Sequence, residues 1–231
     1  MIQSNNSPAT TQQSTKSNKE PVTTNIEWLN RAYSADGLPA LRSLYDEWAA
    51  SYDSDLSKSD QNYVAPALSA ATVAKYAGNP AALKILDAGC GTGLVGAALA
   101  NLGSKQIDGV DLSQGMLDVA RKTNAYSVLE TADLSKPLEK ETDSYDVVTC
   151  IGTLTHAHVG PEVLSEFVRV VRKDGWIIAT VLDDIWEPVG YRAEIDKLVA
   201  SKKAELVSAD SGDYRKGAGV SARMVVLKVL A

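Results

Sequence analysis

The sequence has two histidines, two cysteines, three methionines, a single phenylalanine and no long apolar run among its 231 residues. Each scarcity narrows the possible functions. No window approaches the roughly 18–20 consecutive apolar residues that cross a bilayer, so a spanning helix is not expected. The N-terminus shows neither the apolar core of a secretory signal nor the arginines of a transit peptide, which points to the cytoplasm. Cys90 and Cys150 belong to no CxxC pair and no zinc spacing, so no metal site is expected and both read as reduced core residues. Dense basic runs are missing too. With 23 Lys and Arg against 29 Asp and Glu, the formal net charge is −6. Binding to nucleic acid draws on many phosphate contacts by cations, so neither nucleic acid nor membrane is expected as a partner, and a small molecule fits better. Nothing in the pattern specifies an oligomer.

What is present divides the chain into three parts. Residues 1–24 are Ser, Thr, Asn and Gln with almost nothing to bury, a composition that predicts a disordered tail. Residues 25–80 read as helices: a short one in NIEWLNRAYSA, one long one in LPALRSLYDEWAASYDSDL, and a third over Tyr63–Tyr76 ended by Gly78-Asn79-Pro80. From residue 81 to 231 strands and helices alternate. Strands are expected at Leu83–Ala88, Gln106–Val110, Ser127–Thr131, Tyr145–Ile151 and Trp176–Leu182. Helices are expected at Leu94–Leu102, Gln114–Lys122, Pro161–Val171 and Glu187–Ser201. Alternation of this kind implies right-handed crossovers and an α/β fold around a mostly parallel sheet with helices on both faces. The end differs, because AELVSA and ARMVVLKVL have no helix between them, only the glycine-containing stretch Asp210–Ser221. They predict an antiparallel pair at one edge.

The stretch ILDAGCGTGLVGAAL holds Gly89, Gly91 and Gly93 between the first strand and its helix. Glycines there let the backbone turn tightly and let a ligand approach without meeting a Cβ. Their spacing is GxGxG and not the GxGxxG of dinucleotide sites, and Asp87 precedes them. A carboxylate at that point repels phosphate and favours an ammonium or sulfonium. The next strand ends in GVDLS, whose Asp111 is placed to accept hydrogen bonds from ribose hydroxyls. The third is followed by TADLS, whose Asp133 is placed to accept from an adenine amine. Three acids at successive strand ends, together with the glycines, point to a cationic ligand that contains adenosine.

ILDAGCGTG, GVDLS followed by Gly115-Met116-Leu117, and ADL together resemble the motifs of class I S-adenosylmethionine-dependent methyltransferases. LYDEWAASYDSDL followed by YVAPA is similar to the Williams–Beuren-region methyltransferase-like proteins. The resemblance covers roughly residues 40–230. It implies a Rossmann-like seven-stranded sheet of order 3-2-1-4-5-7-6 with strand 7 antiparallel, and an N-terminal helical lid. It implies S-adenosylmethionine as cofactor, with Asp87 and the backbone of Gly89, Gly91 and Gly93 on its methionine part. Asp111 would take the ribose, Leu112 would pack on the adenine, and Asp133 would read the amine with the backbone of Ala132 and Leu134. Met116 joins this set, and Ile151 and Gly152 would line the cofactor near its sulfur. Tyr45, Trp48 and Tyr52 are candidates for the lid over it.

Methyl transfer from a sulfonium needs mainly alignment, with a base required only where the acceptor must lose a proton. The exit of strand 4 reads CIGTLTHAH and lacks the Asn/Asp-Pro-Pro-aromatic motif that marks methylation of planar nitrogens in similar enzymes. His156 and His158 follow. His156 is the candidate base, and Asp183, beside Asp184 after strand 5, is the candidate for orienting the acceptor. Ser211–Gly217 would border the acceptor pocket. The expected activity is transfer to oxygen, nitrogen or sulfur of a small molecule. A rearrangement promoted by the sulfonium, and a non-catalytic cofactor-binding partner, are the alternatives.

Overall fold

The computed structural model describes residues 25–156 and 158–231; the tail at 1–24 lies outside them. Three helices open the described chain: α1 (Glu27–Tyr33), α2 (Gly37–Trp48) and α3 (Tyr52–Ser57). They bury Leu29, Leu41, Leu44, Trp48 and Leu56 against one another, in a small core of their own. The single long helix expected over α2 and α3 is broken. Ser51 and Trp48 both donate to the Asp55 carboxylate, at 3.0 and 2.9 Å. Side-chain bonds of this kind draw the backbone out of the helix.

The sheet follows the order β3-β2-β1-β4-β5-β7-β6. Its strands are β1 (Lys84–Ala88), β2 (Gln106–Asp111), β3 (Val128–Thr131), β4 (Tyr145–Leu154), β5 (Val171–Leu182), β6 (Ala204–Arg215) and β7 (Val220–Val229). All neighbours from β3 to β5 run parallel, and β7 is antiparallel to both β5 and β6. Ile85, Leu86, Val147, Val148, Ile177 and Ile178 are each 0% exposed. These central strands are covered on both faces, which is why they read as continuous apolar runs. The helices between them are α4 (Ala65–Ala77), α5 (Leu94–Asn101), α6 (Gln114–Ala120), α7 (Val163–Val170), α8 (Asp183–Trp186) and α9 (Tyr191–Ala200). Although α4 falls in the 25–80 segment, it packs on α5, β4 and β5 and belongs to the layers around the sheet.

Three boundaries differ from those expected. The helix expected at Glu187–Ser201 starts only at Tyr191, as α9; 187–190 are a turn ending in Gly190 at φ 100°, and the short α8 precedes it where no helix was expected. β5 begins at Val171, with a bulge before Trp176. The expected loop at Asp210–Ser221 is mostly strand: β6 runs to Arg215, and only 216–219 form the turn. Pairing with β7, bulged between Asp213 and Arg215, overrides the weak strand propensity of Asp and Gly. Tyr63 forms a bridge with Arg215 on the far side of this hairpin, which ties the start of the chain to its end. Among the described residues, no helix is long and apolar enough to cross a membrane.

Candidate functional site

The sheet order turns at β1, which has β2 on one side and β4 on the other, and a crevice opens at such a point. The chain leaving β1 passes Gly89 and Gly91 at φ 73° and 53°. A Cβ on Gly89 would stand 2.0 Å from Thr153 Oγ1, while one on Gly91 would meet nothing within 4 Å. Gly89 thus lets β4 close in from behind, and Gly91 leaves room on the side of the cleft it lines.

Asp111 ends β2 and faces this cleft. Its Oδ2 accepts the Gly91 N–H at 2.8 Å and its Oδ1 the Ser113 N–H at 2.9 Å. The two oxygens offer about four acceptor sites, and with the Leu112 N–H also directed at the carboxylate one is left. Burial raises its pKa, against the N–H groups of Ser113, Gly91 and Leu112, which hold it down. Asp133 follows β3 and accepts from the Ser135 N–H and hydroxyl at 2.9 and 2.6 Å, with Lys136 Nζ at 3.2 Å. Leu112, Met116, Leu134 and Ile151 supply apolar walls between the two acids.

The lid covers the cleft with Leu38, Leu41 and Tyr45 of α2 and Tyr52 of α3. Two carboxylates fasten it. Asp46 Oδ1 accepts the Ser113 hydroxyl at 2.6 Å and the Gly115 N–H at 2.8 Å, and Asp53 accepts the Thr92 hydroxyl at 2.5 Å. Each such bond contributes about 1 kcal/mol. Asp46→Ala is therefore expected to raise amide hydrogen exchange across α2 about tenfold while the sheet stays protected; unchanged exchange in α2 would reject the latch.

Of the residues expected to hold a cofactor, Tyr45, Tyr52, Gly89, Gly91, Asp111, Leu112, Met116, Ala132, Asp133, Leu134, Ile151 and Gly152 line this one cleft. Trp48, Asp87 and Gly93 do not. Trp48 is buried in the lid's own core, edge-on to Tyr52 with ring centroids 4.6 Å apart, and supports the aromatic wall from behind. Asp87 points into the interior, where Tyr126 and Thr149 hydroxyls donate to its two oxygens at 2.7 and 2.9 Å. Burial lifts its pKa to about 6 against those two bonds. Gly93 backs onto Tyr126 and Ala120 at the start of α5.

The histidines exchange places relative to expectation. His156 Nε2 lies 2.9 Å from Asp184, not Asp183, and its ring meets Tyr33 edge-on; it does not line the cleft. His158 does. Its Nδ1 lies 2.5 Å from the His156 carbonyl, which can only accept, so Nδ1 carries the proton. Nε2 then accepts the Tyr45 hydroxyl at 2.7 Å. Burial lowers the His158 pKa to about 4, leaving the ring neutral at physiological pH. Asp183 accepts the Ser211 hydroxyl at 2.5 Å, stands 3.5 Å from Arg223 Nε, and lines a separate open cavity. Leu38 and Leu41 of the lid, and Thr153 and Val159 at and beyond the end of β4, join the cleft without having been expected there; single residues of these types carry no mark in the sequence.

The family described as a methyltransferase domain matches residues 86–179. The chain is 34% identical to human methyltransferase-like protein 27 over 155 residues, 65% of this chain and 62% of that one. Residues 86–179 thus carry a methyltransferase domain, of the class I S-adenosylmethionine-dependent kind. The chain is also 35% identical over 104 residues to a ubiquinone biosynthesis O-methyltransferase of Burkholderia vietnamiensis, 43% of this chain and 44% of that one. It thus spans less than two thirds of either curated relative. Among solved structures, the [4+2]-cyclase SpnF superposes with a TM-score of 0.65 at 15% identity, over 85% of this chain and 97% of that one. The likeness concerns the fold.

The cofactor of the superfamily is S-adenosylmethionine, and the cleft suits it. Open room at Gly91 admits backbone approach, Asp111 keeps acceptor capacity beyond its three N–H partners, and apolar side chains can frame a flat ring. The cleft's charged lining is Asp111 and Asp133, with no Lys or Arg, as a sulfonium requires. His158, held neutral, adds no opposing charge.

Proposed function

We propose that the protein methylates a small-molecule acceptor at oxygen, nitrogen or sulfur. The observation that carries this reading is the set of polar groups in the cleft: two acids at successive strand ends, a glycine turn, and no cation. When bound, S-adenosylmethionine supplies a methyl group on a positively charged sulfur. Asp111 would accept from the ribose hydroxyls, Asp133 and the backbone at Ala132 and Leu134 would meet the adenine edge, and Gly89 and Gly91 would cradle the methionine part. Asp87, behind that turn, would contribute its charge and not a contact.

Tyr45 and Tyr52 close the cleft beside Gly152. Burial raises both phenols well above their usual range, so they stay protonated. Tyr45 donates to His158, and that bond fixes where its oxygen faces. We assign Tyr45 the role of orienting the acceptor and His158 that of holding Tyr45. His156 and Asp183 are left at the outer side, where they would meet an acceptor on its way in. A lid fastened at Asp46 and Asp53 excludes water and holds the partners in line, an effect worth roughly 7–11 kcal/mol of barrier when complete. The bacterial relative's name, which specifies an O-methyltransferase, favours oxygen among the acceptor atoms.

Calorimetric titration with S-adenosylmethionine, followed by incubation with methyl-labelled cofactor and a metabolite extract, tests the reading. Binding and label transfer to a small molecule are expected. No binding at millimolar cofactor would refute it, and binding with a product that carries no label would favour a rearrangement. Asp111→Ala is expected to weaken the cofactor about 10- to 100-fold, the loss of hydrogen bonds to a charged acceptor at about 1.5–3 kcal/mol. Unchanged affinity would remove the ribose assignment.

A further inference from the structure

Tyr126, in the chain between α6 and β3, does not line the cofactor cleft, yet three elements leave space for its ring. A Cβ on Gly93 would stand 3.1 Å from that ring and one on Gly109 of β2 2.9 Å, while one on Gly96 of α5 would overlap its phenol end. Gly96 and Gly109 do not have left-handed backbone, so neither is glycine for the sake of a turn. Gly109 is the β2 partner of Asp87 in the strand register. Its missing side chain lets the ring cross β2 and reach the carboxylate on β1.

The Tyr126 hydroxyl bridges two groups. The Gly96 N–H donates to it at 3.2 Å, and an amide N–H can only donate, so the phenol's own proton points to Asp87 Oδ2 at 2.7 Å. Gly96 is the third residue of α5, and its N–H is one that no carbonyl of the helix takes. The positive end of α5 is thus relayed through the phenol to the carboxylate, and bonds in such a chain strengthen one another. Thr149 donates to the other oxygen at 2.9 Å. Among the described residues no Lys or Arg pairs with Asp87. The other ionisable groups around it are Asp111, which opposes its charge, and Cys90, Cys150 and Tyr63, which burial keeps protonated. Burial pushes the Asp87 carboxyl up to about 6, and the Tyr126 and Thr149 hydroxyls keep it from rising further.

We propose that Tyr126 is a positioning residue for the methyl donor, acting through Asp87 to hold a negative charge behind the glycine turn, a role that rests on the methyltransferase reading above. Transfer of the methyl group turns the sulfonium of S-adenosylmethionine into the neutral thioether of S-adenosylhomocysteine. A charged Asp87 favours the first over the second, and a protonated one does not. Tyr126 therefore sets the pH range over which the cleft distinguishes donor from spent product.

The test is the ratio of S-adenosylmethionine to S-adenosylhomocysteine affinity, measured by calorimetry on the full chain from pH 5 to 8. The two ligands share every other ionisable group, so the ratio isolates the sulfonium. His158, on the cleft, protonates only at about 4, below this range. For a charge that strengthens sulfonium binding about tenfold, the ratio is expected to fall about fivefold from pH 8 to pH 5. Asp87→Asn should flatten the profile. Tyr126→Phe keeps the ring in its slot and removes the donated proton. The fall should then begin about one pH unit higher, which puts the ratio at pH 6 about threefold below that of the wild type. Replacing Tyr126 by 3-fluorotyrosine, a stronger donor of nearly the same shape, should move the fall to lower pH, and it carries the test if the phenylalanine variant does not fold. A loss of packing alone would not move the profile in opposite directions. The proposal is overturned if the wild-type ratio does not change with pH, if Asp87→Asn keeps the slope, or if the profile stays in place when Tyr126 is altered. Failure of the wild-type chain to bind either ligand at millimolar concentration overturns the underlying reading, and this proposal with it.

Discussion

Gly89→Ala is expected to destabilise the fold by about 3 kcal/mol and to weaken the cofactor at least hundredfold. Two costs combine. At φ 73° an L side chain sits in the left-handed region, which costs roughly 1–2 kcal/mol. The new methyl would also fall 2.0 Å from Thr153 Oγ1 and 2.9 Å from its Cβ. Those atoms belong to a short, branched side chain on β4 with no longer reach to swing away, and overpacking of this kind costs about 1–3 kcal/mol. Relief by a backbone shift would move the turn that carries Gly91 and, through the Gly91 N–H, the Asp111 carboxylate. Urea unfolding and calorimetry read the two losses separately. Thr153→Gly in the same chain should recover the steric share and leave the backbone share, so that the two substitutions are non-additive. Additive effects would show that Thr153 is not the obstacle.

The second large effect has the opposite sign for stability. Asp87 ionises near 3.8 in the unfolded chain and at about 6 in the folded one, because burial disfavours its charge. Between those values the unfolded state gives up its proton first. Stability is therefore expected to fall as pH rises from about 4 to about 6, by about 3 kcal/mol in total, and to stay low above that window. Asp87→Asn should remove the slope and leave the unliganded protein about 1–3 kcal/mol more stable at pH 8, with little change at pH 4. On the proposed reading the same substitution weakens S-adenosylmethionine about tenfold, since the charge behind the glycine turn then no longer faces a sulfonium. Urea midpoints at pH 4 and 8, for both chains, decide the first part, and a parallel slope in the asparagine variant would trace the pH dependence elsewhere.

The parallel core of the sheet was legible because β1, β4 and the second half of β5 are buried, mostly apolar runs, a pattern set locally by neighbouring residues; the strand order came only from the resemblance of the motifs to a known family. The cofactor acids were legible for a related reason. Asp111 and Asp133 end consecutive strands, and parallel strands in one sheet carry their ends to one edge. What stayed hidden depends on contacts between distant segments. The break between α2 and α3 arises from side chains converging on Asp55, with no glycine or proline at the break to announce it. Asp87 reads as a cleft residue by position, yet the alternation of a strand turns it inward to Tyr126. His156 and His158 differ by two positions, and only the folded carbonyl of His156 decides which ring faces Tyr45. Tyr33, Tyr63, Tyr214 and Arg215 come from both ends of the described chain, so no spacing in the sequence marks them as neighbours.

The bridge between Tyr63 and Arg215 bears on how the protein is made. Gln61 and the guanidinium it holds are 154 positions apart, and the closure of such a loop comes late and is entropically expensive. Synthesis proceeds from the N-terminus, so every wall of the cofactor cleft, through Val159, has left the ribosome before Tyr214 and Arg215 are translated. A nascent chain thus carries every wall of the cleft well before it acquires the strand end that Gln61 and Tyr63 fasten.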